Sequence, residues 1–536
     1  MVASVDTIGQ INRRSLLLGS VLIAASGPAW AATQTPKQGG KLTMLLNWEP
    51  TALVSLTTSS GAEGTVSPKV HEGLLAYDFD INPRPQLAKE WSVSPDGKEY
   101  IFKLREGVHW HDGKEFTSAD VKTSLEILKQ RHPRGRATFA NVDEIVTPDA
   151  HTVVLRLSKP APYLLYALSA AESPIVAHHL YGGVDPQANP ANAKPIGTGP
   201  FKFKEWARGS FIRYERNPDY WDKPKPYIDE LVVRLIPDPS ARTVAFEVGE
   251  IDLGGENPIP FTDVDRLKAM PQFVVETQGY SYSPEQIVVE FNLDRPQLQN
   301  PLVRQAIAHA IDRQVVLDVV WSGYGVIAPS PISPHLTRFY APGVETYPFD
   351  LKKAAVLLDE AGLKPGAGGT RLSLTFDYPT STAQFAGLGN YLKQSLRKIG
   401  IDLTLRGQEL SAFSKRIYTD RDFDLSGVSL GNSFDPTVGV QRTYWSKNFK
   451  VGVPFSNGTH YNNPEVDALL EAAAVEPDAA KRVQEFKTFQ EIVARDIPGI
   501  NLITKTRVTV ANKKVRNHTV TADGLRGNFA DVFVAE

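Results

Sequence analysis

Gly427-Val428-Ser429-Leu430-Gly431 has the Gly-x-Ser-x-Gly spacing of a nucleophile elbow. An elbow holds its serine on a sharp turn between a strand and a helix, with an acid and a histidine downstream to move the proton. Phe423-Asp424-Leu425 would supply the strand and His460 lies downstream, but Asn432-Ser433-Phe434-Asp435-Pro436 is loop chemistry where the helix should begin. A hydrolase built on Ser429 is therefore the alternative reading and not the leading one. His109 and His111 share a face if their segment is extended, as two metal ligands must, but no third ligand is evident. His178 and His179 point to different faces in helix or strand alike. Gly197-Thr198-Gly199 suggests a phosphate loop, yet no Lys-Ser or Lys-Thr follows and Pro200 interrupts the helix start, so a tight backbone return is the better reading.

Other residues have the chemistry of binding. Arg442, Tyr444, Trp445 and Lys447 cluster in one short stretch. The planar fork of Arg442 suits a carboxylate or phosphate, which it pairs bidentately. The loop Trp321-Ser322-Gly323-Tyr324-Gly325 is a second candidate wall, because glycine lets a backbone approach a ligand closely. A third is Asn47-Trp48-Glu49, directly after the apolar strand Leu42 to Leu46.

The elements that must carry these residues are mixed. Tyr100, Phe102 and Leu104 alternate as in a half-buried strand, and Thr117 to Asp120 caps a helix from about Asp120 to Lys129. A helix is expected from Ser67 to Leu75, and a strand pair from Thr147 to Leu157 turning at Pro148-Asp149-Ala150. Ile287 to Phe291 reads as a buried strand, followed by a helix with Asn300 as cap and Pro301 at its first position. Asp350 caps a helix ending at Gly362, Asn463 precedes another, and Phe486 to Ala494 forms a late one.

At 536 residues the chain exceeds one ordinary core, so at least two lobes are expected. Its formal net charge of −2 gives no reason to expect nucleic acid or an anionic membrane as partner. Residues 1–31 read as a signal peptide: Arg13-Arg14, an apolar run from Leu16 to Ala25, and Ala29-Trp30-Ala31 as the cleavage site. The arginine pair points to the twin-arginine route, and the run is too short to span a bilayer. With no cysteine, disulfides, thiolate metal sites, cysteine nucleophiles and a lipidated cysteine are all excluded. The mature chain is expected in the periplasm.

One run says more than its pattern does. Between Leu87 and Val121 stand Trp91, Ser94-Pro95-Asp96-Gly97, Tyr100-x-Phe102-x-Leu104-Arg105, Gly107-Val108, His111-Asp112-Gly113 and Asp120-Val121. This closely resembles the signature region of the solute-binding proteins that serve peptide and nickel ABC transporters, solute-binding family 5. Gly197-Thr198-Gly199-Pro200-Phe201, Asn217-Pro218-Asp219-Tyr220-Trp221 and Val303-Arg304-Gln305-Ala306-Ile307 extend the resemblance, which runs from about Gly39 to the C-terminus.

The resemblance implies an α/β, two-lobe periplasmic binding protein (Venus-flytrap) fold with a subdomain inserted in the first lobe. Lobe I would comprise 37–80, 193–285 and 505–536, the insert 81–192, and lobe II 286–504. Hinge crossings are expected near Phe291-Asn292 and Ile500-Leu502. The implied function is capture of a small organic solute between the lobes and its delivery to a membrane permease and ATPase, by a monomer needing no cofactor. A metal- or haem-carrying member is a third reading. In peptide-binding relatives an acid four positions before the proline of the 430–436 loop pairs with the peptide's ammonium. Here that position is Asn432, beside Phe434 and Asp435, with Asp435 or Glu49 as possible substitutes. The departure favours a solute with an anionic group, such as an opine, a phosphorylated or carboxylated metabolite or a metal chelate, over a free peptide.

Overall fold

Strand alternation and capped helices organise the described residues into three larger sheets and two small two-stranded ones. A computed structural model describes residues 35–535, and the expected signal peptide lies outside the described residues. From Lys37 onward the chain forms one contact unit. Strand β1 (Lys41–Leu46) comes first. Next are β2 (Ala88–Val93), β3 (Glu99–Leu104), β4 (Val142–Asp149) and β5 (Thr152–Leu157), an antiparallel sheet of order β2-β3-β5-β4. Tyr100, Phe102 and Leu104 are the buried face of β3, as their period requires. The helix packed on this sheet spans Ser118–Arg131, with Thr117 and Asp120 forming a reciprocal capping box.

The chain then returns to β1. Strands β6 (Phe201–Ala207), β7 (Phe211–Arg216), β8 (Glu230–Leu235), β9 (Leu253–Gly254) and β10 (Phe273–Glu276) join its sheet. It crosses once into a second large sheet made of β11 (Glu285–Phe291), β12 (Gly325–Ile327), β13 (Leu372–Pro379), β14 (Ile401–Gln408), β15 (Leu425–Gly431) and β16 (Gly499–Lys505). It crosses back to lay β17 (Thr509–Asn512) between β10 and β9. The first large sheet has the order β10-β17-β9-β1-β8-β7-β6 and the second β12-β16-β11-β15-β13-β14. Each has its own core: Leu42, Met44, Tyr214 and Val233 in one, Ile287, Val289, Phe376 and Leu502 in the other.

The segments between sheets are thus 277–284 and 506–508. Phe291-Asn292 and Ile500-Leu502, expected at the hinge, belong to the second sheet: Phe291 pairs with Leu425 and Ile500 with Val289. Their apolar side chains are buried against that lobe's helices, which holds them to one body. The helix expected from Ser67 to Leu75 is displaced. It runs Gly61–Val66 and tightens into a 3₁₀ turn over Ser67–Lys69. Leu75–Tyr77 is extended because it pairs with Pro83–Pro85 and because Leu75 N–H donates to Leu168 O at 3.1 Å. The late helix is longer than expected, Ala479–Asp496, capped by Asp478.

The glycine motif acts as a brace. A Cβ at Gly197 would sit 1.9 Å from Val70 O, and one at Gly199 2.6 Å from it. Only glycine lets these backbones touch. His111 is part of the same joint: its N–H donates to Gly197 O at 2.9 Å, and Nε2 lies 2.9 Å from Gly199 O. Thr198, Tyr220 and Trp221 all donate to the buried carboxylate of Glu72, at 3.0, 2.8 and 2.8 Å. Three of the recurrent sequence motifs therefore fasten the β2–β5 sheet to the β1 sheet.

Candidate functional site

The two large sheets and the β2–β5 body meet at one cleft. Tyr280, Tyr282, Arg507, Asp523 and Arg526 line it from the β1-sheet side and the crossings. Arg134 and Glu172 come from the β2–β5 body, and Ser433 and Phe434 from the loop after β15. An aromatic column spans the junction, with Tyr77 to Tyr282 at 5.2 Å and Tyr282 to Phe434 at 5.0 Å between ring centroids. The walls nearly touch. The free volume of ≈ 30 Å³ is room for about two waters.

The arginines on the walls are nearly all paired. Arg134 donates to both oxygens of Glu172 at 2.7 and 2.5 Å. Burial raises the Glu172 pKa, but the Arg134 guanidinium outweighs it and holds the carboxyl below its ordinary value. Arg526 donates to Glu256 at 2.7 Å. Arg507 and Lys505 both reach Glu285, at 2.6 and 2.5 Å.

Arg442 differs. It sits in the short helix Gln441–Tyr444 that follows the Phe434 loop, and among the described residues no hydrogen bond or ion pair is made by its guanidinium. Its Nε is shut off from solvent without a partner. Burial pulls its pKa below the ordinary arginine value, and the like charge of Arg134 adds to this. Its position is fixed by its backbone, whose carbonyl accepts from Asn448 Nδ2 at 2.7 Å. The Tyr418 phenol, also shut off from solvent, feels the fields of both Arg442 and Glu290. A buried cation without counter-charge is costly, and an anion delivered to it relieves that cost.

The other expected residues divide. Asn47 and Trp48 line a small pocket with Gly61, Glu256 and Leu525, and Trp48 is 47% exposed. This pocket adjoins the cleft at Gly61, whose added Cβ would lie 3.2 Å from Arg526 Nη2 and 3.5 Å from Trp48 Cζ2. Glu49 turns away and accepts from Gly209 N–H at 3.0 Å. Trp321 is a core residue, 1% exposed and edge-on to Phe385, because the turn at Ser322-Gly323 directs it inward. Tyr324 stacks on Phe261 at 4.9 Å. Asn432 is buried, with Oδ1 accepting from Ser333 N–H at 2.5 Å, so the loop itself consumes that side chain. Asp435 is 0% exposed and takes two bonds from Arg482 at 2.8 and 2.7 Å, so it locks the loop to the helix Ala479–Asp496. Tyr444 packs on Phe489 at 5.6 Å, and Trp445 Nε1 donates to Glu471 at 2.8 Å. Ser429 lies within β15 and donates to Glu285 at 2.8 Å, so the chain has a continuous strand where an elbow needs a turn.

Sequence reasoning passed over Arg134, Glu172, Tyr282, Asp523 and Arg526. Arg134, Glu172, Tyr282 and Arg526 have partners distant in the chain, as with Arg526 and Glu256, and nothing among the described residues donates to the Asp523 carboxylate. No local pattern marks them.

With this geometry in place, comparison with known proteins is decisive for the family. The model of the bacterial extracellular solute-binding proteins, family 5 (Middle), matches residues 82–511. The chain belongs to that family. As a family 5 solute-binding protein of the ABC-transporter class it is 28% identical to the oligopeptide-binding protein AppA of Bacillus subtilis (strain 168) over 480 residues, 86% of each chain. NikA from Brucella suis, solved in complex with Fe(III)-EDTA, is similar at a TM-score of 0.80 and 28% identity, over 92% of this chain and 100% of that one. AgaA from A. tumefacien R10, solved with agropinic acid, gives 0.74 and 26%, over 93% and 99%. The fold is the two-lobe α/β fold of these proteins.

Proposed function

We propose that this family 5 protein is the periplasmic receptor of an ABC importer. It captures a small organic solute with an anionic group between its lobes and passes it to a membrane permease and ATPase. The observation that carries the anionic part of this reading is Arg442: its Nε is shut off from solvent, no acid pairs with it among the described residues, and it lies within electrostatic reach of the cleft-lining Arg134. The relatives span a range of cargo: an oligopeptide-binding protein, one protein solved with Fe(III)-EDTA and one with agropinic acid. An opine, a carboxylated or phosphorylated metabolite and a metal chelate all carry such a group. No covalent step is required of the protein.

A solute larger than two waters needs the walls to part, and the two crossings are where the backbone can turn. Binding then closes the lobes on the solute. The test begins with mass spectrometry of whatever co-purifies, followed by titration of wild type and Arg442→Ala with that compound. Removing the fork is expected to cost about 3–5 kcal/mol, some hundred- to several-thousand-fold in affinity. Unchanged affinity in Arg442→Ala would overturn the anionic reading. Turnover of the solute, lost in Ser429→Ala, would restore the hydrolase.

A further inference from the structure

The cleft contains one carboxylate that the arginine pairs leave out. Glu172 is taken by Arg134 and Glu256 by Arg526, but among the described residues nothing donates to the Asp523 carboxylate, and its Oδ1 is shut off from solvent. Two cations stand close enough to feel it without bonding to it. Lys69, wholly buried, gives its ammonium to Leu525 O at 2.8 Å and to Gly527 O. Arg526 is turned toward Glu256. Burial pushes the Asp523 pKa up to about 7, against the pull of Arg526 and Lys69 and with the push of Glu172.

Its position is equally informative. Asp523 and Arg526 line both the cleft and a neighbouring cavity of ≈ 190 Å³ beneath the segment 517–531. The second cavity, bordered by Trp221, Lys225 and Phe529, supplies the room that the cleft lacks. A group entering between the lobes therefore meets a desolvated, unbonded acid at the mouth of a larger space. Within electrostatic reach of Arg134 is the guanidinium of Arg442, whose Nε is shut off from solvent with no partner among the described residues.

We infer that Asp523 is the counter-charge for an ammonium on the solute, so that the solute class is amino-acid-derived, an amine and an acid on one small molecule. This rests on the cleft being the solute site proposed above. A charge-assisted hydrogen bond to Asp523 fixes the amine, and the acid is left to Arg442. Neither buried charge then stays uncompensated in the closed form.

The experiment is a thermal-shift screen and calorimetric titration of the mature chain. Its probes are free amino acids and an alanine tripeptide, each beside its N-acetyl derivative, with succinate and glutarate as amine-free acids. At least one free amine should stabilise the protein where its N-acetyl form does not. Asp523→Asn should bind that amine roughly 10- to 100-fold more weakly and erase the preference over the N-acetyl form. Equal binding of N-acetyl forms, an unaltered amine affinity in Asp523→Asn, or no stabilising amine in the panel would overturn the inference. Arg442→Gln separates the two readings. Amine-indifferent binding that needs Arg442 drops this inference and keeps the anionic solute, whereas amine binding that needs Asp523 and ignores Arg442 does the reverse.

Discussion

Arg482 and Arg442 are both arginines of lobe II with an enclosed Nε, and they occupy opposite situations. Arg482 is enclosed by Asp435 on two bonds, Thr437 Oγ1 at 2.8 Å and Ala473 O at 2.7 Å, with its plane over Phe339 and Phe486. Every guanidinium nitrogen has a partner, and the product is a fixed loop. Arg442 is partly exposed, its Nε alone is shut off from solvent, and among the described residues it has none of those partners. Burial alone therefore does not tell a structural arginine from a binding one; the bonding of its donors does. An unbonded buried charge is tolerated only when something else in the working cycle completes it.

The contrast can be broken by removing Arg482's partner. Asp435→Ala should lower stability by about 3–5 kcal/mol, since it leaves a buried guanidinium unpaired. Urea denaturation would show this, and adding Arg482→Met should recover much of the loss. A small single-mutant effect would mean that Arg482 is as free as Arg442.

Glu290 extends the comparison to an acid. Its Oε1 has no partner, Ser426 donates to Oε2 at 3.1 Å, and burial raises its pKa to about 7. That lies above the ordinary value of 4.5, so between these two values the folded chain keeps a proton that the unfolded chain has lost. Its contribution to stability thus falls as pH rises from about 4.5 to 7 and is flat above. Glu290→Gln should remove that slope and raise stability near pH 8 by roughly 3 kcal/mol at most. Equal pH profiles for the two proteins would show that Glu290 is ionised and bonded through neutral pH.

Arg442→Met sharpens the contrast from the other side. Without ligand its stability should match wild type or exceed it by about 1 kcal/mol, because the substitution removes a desolvated charge. A loss on the scale of Asp435→Ala would place Arg442 with Arg482 among the structural arginines.

The smallest effect is expected at an exposed arginine. Arg338 of lobe II reaches across to the Tyr166 hydroxyl and lies 4.9 Å from that ring. Arg338→Ala should cost 0–1 kcal/mol in stability and shift small-angle scattering of the unliganded protein toward a more extended form. An unaltered scattering profile would remove Arg338 from the closure.

The fold was legible in the sequence wherever a local rule carried it. Thr117 with Asp120, Asn300 with Pro301, and Asp350 all cap the helices they were expected to cap. The site was legible only in part. Phe434 lines the cleft, Asn47 and Trp48 line the pocket beside it, and Arg442 has no acid partner among the described residues. Asn432 and Asp435 read as binding residues because a short polar loop looks the same whether its side chains face a ligand or one another. What separates them is a bond to Ser333 and a bond to Arg482, partners 99 and 47 positions away. Trp321 misled for a related reason, since an aromatic beside glycines fits a cleft wall and a core equally well. The cleft acids and arginines could not be found at all, because each is defined by a partner far along the chain.

Strand β17 gives the molecule an order of assembly. It is an inner strand of the β1 sheet, bonded on one side to β9 and on the other to β10, yet it is supplied by residues 509–512. The core of the same lobe also needs Val515, Phe529 and Val532. Lobe II, by contrast, has all six strands once Lys505 has been made. A chain emerging from its N-terminus can therefore finish its second lobe first, while the lobe it began with waits, gapped beside its edge strand β10, for nearly the last residues to arrive. Removal of the segment after Lys505 should then leave lobe II's sheet whole and lobe I's open, which makes the late-made strand the step that commits the whole protein.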